Sequence, residues 1–286
     1  MTRRSSFPFR VALILIVAVL TTSGCARIKG AFKDKDENEG VPVEELYDKG
    51  HASMRNGNWN NAVVTYRRLV AQYPYGSYTE QALVETAFAQ YKMGSNEEAI
   101  SSIDRFLRTY PTHRNTPYMY YLRGLVNSSR DTVFLQRVWN LDASRRDLAT
   151  PTQAYNDFNI VTERFPNSRY ASDARDRMAR LRDMFARHDI EVGLYYLRRG
   201  AWIAASERAK YVLETFPQSS FQYDAVAILA ASYERLGNET LHEDAERVLK
   251  QNEPDHAYFS GGWPNYPWTI RKLNPFAGEK SALDND

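Results

Sequence analysis

Cysteine is almost missing from this chain: its 286 residues include one, Cys25. A single thiol cannot close an internal disulfide, so no covalent staple within the chain helps it fold. Histidine is scarce as well. The five (His51, His113, His188, His242 and His256) never fall four apart, which removes the helical metal-binding pair. There is no G-x-S-x-G elbow, no phosphate-cradling G-x4-G-K-S/T and no dinucleotide G-x-G-x-x-G. His188 and Asp189 are neighbours on a predicted helix and therefore point in different directions. With the one thiol at an N-terminal processing site, cysteine catalysis falls away too. The sequence offers no catalytic, cofactor-binding or metal site, and the expectation is a protein that is not an enzyme. After the N-terminus no stretch is long and apolar enough to cross a bilayer. The net charge is only +2, which is no footprint for nucleic acid.

What is present begins with an export signal. Arg3, Arg4 and Arg10 form a basic start, Val11 to Leu20 an apolar run, and Thr22-Ser23-Gly24 a small-residue cleavage site. Cys25 stands next, where bacterial lipoproteins carry their lipidated residue. T-S-G-C resembles a lipobox, with Thr22 in place of the usual Leu. The alternative is an ordinary signal peptide followed by an incidental cysteine. Two or three acyl chains on one residue anchor a protein stably, whereas one does not. Ala26 in place of Asp after that cysteine implies, as in lipoproteins generally, delivery to the outer membrane. Residues 1–24 are thus read as leader and 25–41, charged and aperiodic, as a flexible tether. Without the leader's three arginines the formal charge falls to about −1.

The body of the chain is periodic. Gly50, Gly57, Ala62 and Pro74 recur at the same offsets as Ala87, Gly94, Ala99 and Pro111, then as Gly193, Gly200, Ala205 and Pro217. A weaker copy is Ala230, Gly237, His242 and Pro254, with His242 in place of the small residue. This period and the small-small-Pro spacing are the tetratricopeptide signature. Its mechanics are simple. The small residues lie where two antiparallel helices cross, Gly57 and Gly94 end first helices in the left-handed region, and each proline stops a second helix. Asn58 and Asn96 are candidate caps for second helices. The predicted fold is all-α, a right-handed α-solenoid of five helix pairs over residues 42–254.

Two irregularities interrupt it. Gly124 is in register for a first helix (about 116–128), but Ala154, Phe158 and Pro166 follow some eighteen residues late. Insertions of that length in a compact repeat are usually functional; this one, around 129–150, carries Phe134 and Trp139. The wide gap between Pro166 and Gly193 then predicts one long helix, about 168–199, opening repeat four and bracing repeat three. Its many arginines are read as a solvated face rather than a binding surface. Residues 255–286, rich in proline, glycine and aromatics, are expected to form an extended tail, with Trp263, Trp268 and Phe276 as docking points.

Repeat arrays of this kind bind partners in the groove lined by their first helices. Tyr75, Tyr78, Tyr91, Tyr118 and Tyr121 cluster at the first two repeats and their exit. They suit an extended peptide with aromatic ends, while interlayer packing accounts for such rings equally well.

Six segments carry a family likeness: Q-Y-P-Y-G-S-Y (72–78), I-D-R-F-L-R-x2-P-T-H (103–113), Y-L-R-G-L (121–125), D-x-S-x-R-D (142–147), F-P-N-S-x-Y (165–170) and Y-Y-x2-R-G-A-W-I-A (195–204). Over residues 42–250 the chain resembles the BamD family of outer-membrane assembly lipoproteins, both irregular insertions included. The resemblance implies a non-catalytic scaffold on the periplasmic face of the outer membrane. It implies binding to a POTRA domain of the barrel subunit BamA, contact with the accessory lipoproteins BamC and BamE, and receipt of C-terminal segments of unfolded barrel proteins. On the family's pattern Arg208, six residues after the Trp of G-A-W, belongs to the BamA interface, and Asp142, Arg145, Arg146 and Asp147 of the insertion lie near it. A solvated helix arginine is the other reading of Arg208. A different periplasmic adaptor built from the same repeats, serving cell-wall or division machinery, is the alternative function. No cofactor is implied beyond a covalent lipid on Cys25. Replacing Cys25 by Ala is expected to move the protein from the membrane fraction to the soluble fraction; unchanged fractionation would mean that no lipid at this residue holds it.

Overall fold

The computed structural model describes residues 40–130, 148–261 and 263. Among these residues every regular element is an α-helix: α1 (Val43–Arg55), α2 (Trp59–Gln72), α3 (Ser77–Lys92), α4 (Asn96–Thr109), α5 (Thr116–Arg130), α6 (Ala149–Arg164), α7 (Ala171–Arg198), α8 (Trp202–Thr215), α9 (Gln222–Arg235) and α10 (Glu239–Asn252). Of the described residues, those from 40 to Thr79 form one compact unit and those from Glu80 a second.

Local chemistry sets the helix ends. Gly57, Gly94, Gly200 and Gly237 follow α1, α3, α7 and α9 with φ between 69° and 75°, where a β-carbon would be strained. Second helices start two residues later. Asn58 caps α2 by accepting the Asn61 N–H at 3.3 Å, and Asn238 does the same for α10 with Leu241. Asn96 is not a cap: it is already the first helical residue of α4, and Ser95 before it makes no side-chain cap bond. The other ends lie before prolines. Tyr73, Tyr110, Phe165, Phe216 and Glu253 close α2, α4, α6, α8 and α10 with φ from −120° to −141°. Proline's ring pushes the preceding residue out of helical geometry, so each second helix stops where the sequence says it must.

In the first unit α1 packs against α2. A β-carbon on Gly50 would fall inside the Tyr66 ring, and Tyr66 and Ala62 are fully buried. The Tyr73 hydroxyl donates to the Val41 carbonyl at 2.9 Å, tying the entry of α1 to the end of α2.

The second unit is a run of three apolar clusters. Val84 and Ala87 of α3, Ala99, Ile103 and Phe106 of α4, and Met119, Leu122 and Val126 of α5 make the first. Ala154, Phe158 and Val161 of α6 with Ala174 of α7 make the second. The third joins the later half of α7 to α8, α9 and α10. Helix α7 therefore belongs to two clusters, as its position between repeats three and four predicts. Its 28 residues span about 42 Å at 1.5 Å per residue. Exposed Arg175, Arg180 and Arg187 lie along it. Despite the insertion α5 pairs with α6, and a β-carbon on Gly124 would come within 2.6 Å of the Phe158 ring. Residues 253–263 stay packed on the last helix pair through Tyr258 and Trp263; Trp268 and Phe276 lie outside the described residues.

Gly50→Leu is expected to cost about 1–3 kcal/mol through overpacking, and Ala99→Leu a similar amount. Thermal or urea unfolding checks this, and a midpoint that barely moved would mean that the crossing has room to spare.

Candidate functional site

The best-defined charged feature of the second unit's surface lies on α8, over a glycine of α7. A β-carbon on Gly193 would sit 3.0 Å from Ile228 Cδ1, 3.7 Å from Arg208 Cβ and 3.8 Å from the Ala205 carbonyl. Arg208 Cβ and the Ala205 carbonyl of α8 thus lie over Gly193 at ordinary contact distance, and Ile228 of α9 is the side chain that a β-carbon there would crowd. Arg208 Nη1 donates to Asp189 Oδ1 at 3.0 Å, with the carboxylate buried and the arginine 46% exposed. Burial pushes the Asp189 pKa up, and Arg208 and His188 oppose this only partly. On the same outer half of α8, Ile203 is 68% and Tyr211 45% exposed. The half-free guanidinium thus shares the exposed surface of α8 with an isoleucine and a tyrosine.

A second network is sealed. Arg123 of α5 donates through Nε and Nη2 to Asp157 of α6 (2.9 and 2.7 Å) and through Nη1 to Asp104 of α4 (2.5 Å). Asn127 Nδ2 donates to the other Asp157 oxygen at 3.0 Å. Burial raises the Asp157 pKa, with Arg123 and Asn127 pulling the other way. This arginine is spent on holding three helices together.

The five candidate groove tyrosines divide. In the first unit Tyr75 is 86% exposed, and Tyr78 is exposed along one side while its ring lies 5.3 Å from that of Tyr47. In the second unit Tyr91 packs against the first apolar cluster. Tyr118 and Tyr121 stack around Tyr170, at 5.3 and 5.1 Å between ring centres. Burial raises the Tyr118 pKa well above the ordinary tyrosine value. The Tyr121 hydroxyl donates to Asp173 at 2.6 Å, and Arg177 donates to the same oxygen at 2.5 Å while lying over the Tyr121 and Phe158 rings. Partial burial by itself would raise the Asp173 pKa, but the Tyr121 hydroxyl and Arg177 together hold it below the usual carboxylate value.

Cys25 and the insertion residues Asp142, Arg145, Arg146 and Asp147 lie outside the described residues. Asp189 and Tyr170, by contrast, are site residues that reading the sequence passed over. Spacing held a partial signal: Asn115 bonds Gln81 and Arg123 bonds Asp157, each 34 residues apart, a distance within the repeat period. No such rule pairs Asp189 with Arg208.

Among the described residues no helix is long and apolar enough to cross a membrane. Tandem antiparallel helix pairs, with small residues at four of the five crossings among the described residues and a proline at each exit, define a tetratricopeptide-type repeat protein. The model of the YfiO family, described as "Outer membrane lipoprotein", matches residues 39–248, and the chain belongs to that family. Over 284 residues it is 58% identical to the outer membrane protein assembly factor BamD of Xylella fastidiosa (strain 9a5c), covering 99% of this chain and 96% of the relative. Identity to the assembly factor BamD of Neisseria gonorrhoeae is 34% over 258 residues, 90% of this chain and 97% of that protein. For the Vibrio cholerae assembly factor BamD it is 31% over 223 residues, 78% and 92%. Among solved structures, a tetratricopeptide repeat protein from Parabacteroides merdae aligns over 77% of this chain and 70% of its own, at 16% identity and a TM-score of 0.32, too loose a match to add to the family assignment.

Removing the Tyr121 hydroxyl tests the Asp173 cluster. Because the folded pKa of Asp173 is depressed, its contribution is present at neutral pH and lost as the pH falls below the unfolded value of 3.8. Tyr121→Phe is expected to cost about 1 kcal/mol at pH 7, after allowance for solvent screening. That difference should shrink in melts near pH 3; a difference independent of pH would mean that the hydroxyl acts only through packing.

Proposed function

We propose that this protein is a non-catalytic scaffold of β-barrel protein assembly, held by a lipid on Cys25 at the periplasmic face of the outer membrane. Membership of an outer-membrane lipoprotein family, and relatives named as assembly factors, support the setting. The observation that carries the molecular part is the Arg208 arrangement. A guanidinium anchored on one side by buried Asp189 keeps its outer edge for a partner carboxylate, beside exposed Ile203 and Tyr211. Such a preset cation loses little side-chain freedom on docking. Its partner in this reading is a POTRA domain of BamA, with the insertion residues Asp142, Arg145, Arg146 and Asp147 extending the contact. BamC- and BamE-type lipoproteins complete the assembly.

In this reading Tyr75 and Tyr78 of the first unit are rings left open for a client, while Tyr91, Tyr118 and Tyr121, the other candidate groove residues, are engaged in packing within the second unit. Unfolded barrel strands end in alternating aromatic segments that pair with one another and aggregate when exposed. A helix surface rigid beforehand captures such a segment without paying for its own ordering. Neither nucleotide nor metal enters this scheme, and the lipid is the only added group.

Arg208→Glu is expected to reduce co-purification of the barrel subunit from detergent-solubilised envelope at least about tenfold, with far-ultraviolet circular dichroism unchanged. Retention of the complex would clear Arg208 of the role. Capture of cell-wall or division proteins without any barrel partner would replace the reading altogether.

A further inference from the structure

Three of the four joints between successive repeats among the described residues share a hydrogen-bond pattern around the proline; the exception is Pro74, after which α3 begins three residues on, at Ser77. At Pro111 the His113 N–H donates to the Tyr110 carbonyl (3.2 Å), the Thr116 N–H to the His113 carbonyl (2.9 Å), and the Asn115 N–H to the His113 Nδ1 (3.1 Å). At Pro166 the same three bonds run from Ser168 to Phe165, Ala171 to Ser168, and Tyr170 to the Ser168 hydroxyl. At Pro217 they run from Ser219 to Phe216, Gln222 to Ser219, and Phe221 to the Ser219 hydroxyl. In each case a first helix begins five residues after the proline, at Thr116, Ala171 and Gln222.

After α10 the chain repeats this joint once more, but no helix begins at the corresponding residue, Phe259. The His256 N–H donates to the Glu253 carbonyl (3.0 Å), the Phe259 N–H to the His256 carbonyl (3.1 Å), and the Tyr258 N–H to the His256 Nδ1 (3.1 Å). A fourth feature agrees. His113 Nε2 lies 3.2 Å from Glu80, in the first turn of α3, and His256 Nε2 lies 3.5 Å from Asp224, in the first turn of α9. Residues 259–261, with Gly261 at φ 69°, form a turn where that helix would begin. Trp263 is instead buried in the apolar cluster of α7 to α10. Its indole N–H donates to Asp224 Oδ1 at 3.1 Å, and the Tyr258 hydroxyl donates to Glu246 of α10 at 3.0 Å.

We propose that residues 254–263 are the opening of a sixth repeat converted into a closing strap. The strap uses the inter-repeat joint to turn back over α9 and α10. Tyr258 and Trp263 fill the place where the next first helix would pack, so the run of helix pairs ends on its own chain and presents no bare apolar end to a second copy. Repeat arrays need such an end, because an internal repeat left last exposes the face meant for its neighbour. The family match stops at residue 248, so the strap lies beyond what the family description covers.

The test compares three single variants of the full chain. Trp263→Ala and His256→Ala are expected to speed chymotryptic cleavage after Tyr258 about tenfold, the strap opening locally without global unfolding, and to lower the thermal midpoint. His256→Ser should fall between the parent and His256→Ala in both measurements, since serine makes the same N–H contact at residues 168 and 219 but reaches neither Asp224 nor the Trp263 ring. Circular dichroism checks that each variant keeps its helices. If His256→Ser cleaved as fast as His256→Ala, the joint would not be the one used between repeats. If Trp263→Ala cleaved at the parent rate, the strap would not be held by its indole.

Discussion

Everything in this fold depends on how closely a second helix can lie against a first, and that distance is set by the residue at the crossing. At Gly50 the missing side chain is replaced by the Tyr66 ring, and at Gly124 by the Phe158 ring. Where the first helix carries Ala87 instead, the position sixteen residues on holds the smaller Ile103, also fully buried. The void on one helix is thus matched by bulk on the other, which keeps the interior close-packed while the side chains vary. Gly193 is the exception that shows the rule. Its corresponding partner is only Ala209, and Ile228 of the next first helix takes up the space.

Charge is placed on top of this packing and does two jobs. Asp157 is buried and satisfied by Arg123 and Asn127, so the arginine that neutralises it has little left for anything outside. Asp189 is buried as well, yet its partner Arg208 is half exposed. Both carboxylates have raised pKa values because burial outweighs the pairing, and removing either arginine would strand a charge in a poor dielectric. The difference lies in where the guanidinium ends: inside a joint of three helices, or at an outer face beside Ile203 and Tyr211.

The aromatic residues were the least legible part of the sequence. Tyr75, Tyr78, Tyr91, Tyr118 and Tyr121 look alike in a string, all close to repeat boundaries. In space Tyr118 and Tyr121 are held by Tyr170, about fifty residues later, whereas Tyr75 follows a proline with almost its whole ring in solvent. The same holds for the chain's last part, where Trp263 belongs to the folded core although its surroundings in sequence are those of a loose tail.

Among the described residues the all-helical class and most helix ends were determined by the sequence alone, because they follow from rules acting within a few residues: glycine in the left-handed region, the Asn58 cap, and proline disfavouring the helix before it. The long α7 and the interrupted third repeat were readable for the same reason, as departures from a fixed spacing. Tertiary structure alone decided that Asp189 answers Arg208, that Asp173 gathers Tyr121 and Arg177, and that Trp263 closes the last pair. Those outcomes depend on which faces of separate helices meet, and facing is set by crossing geometry and packing among residues far apart in the chain.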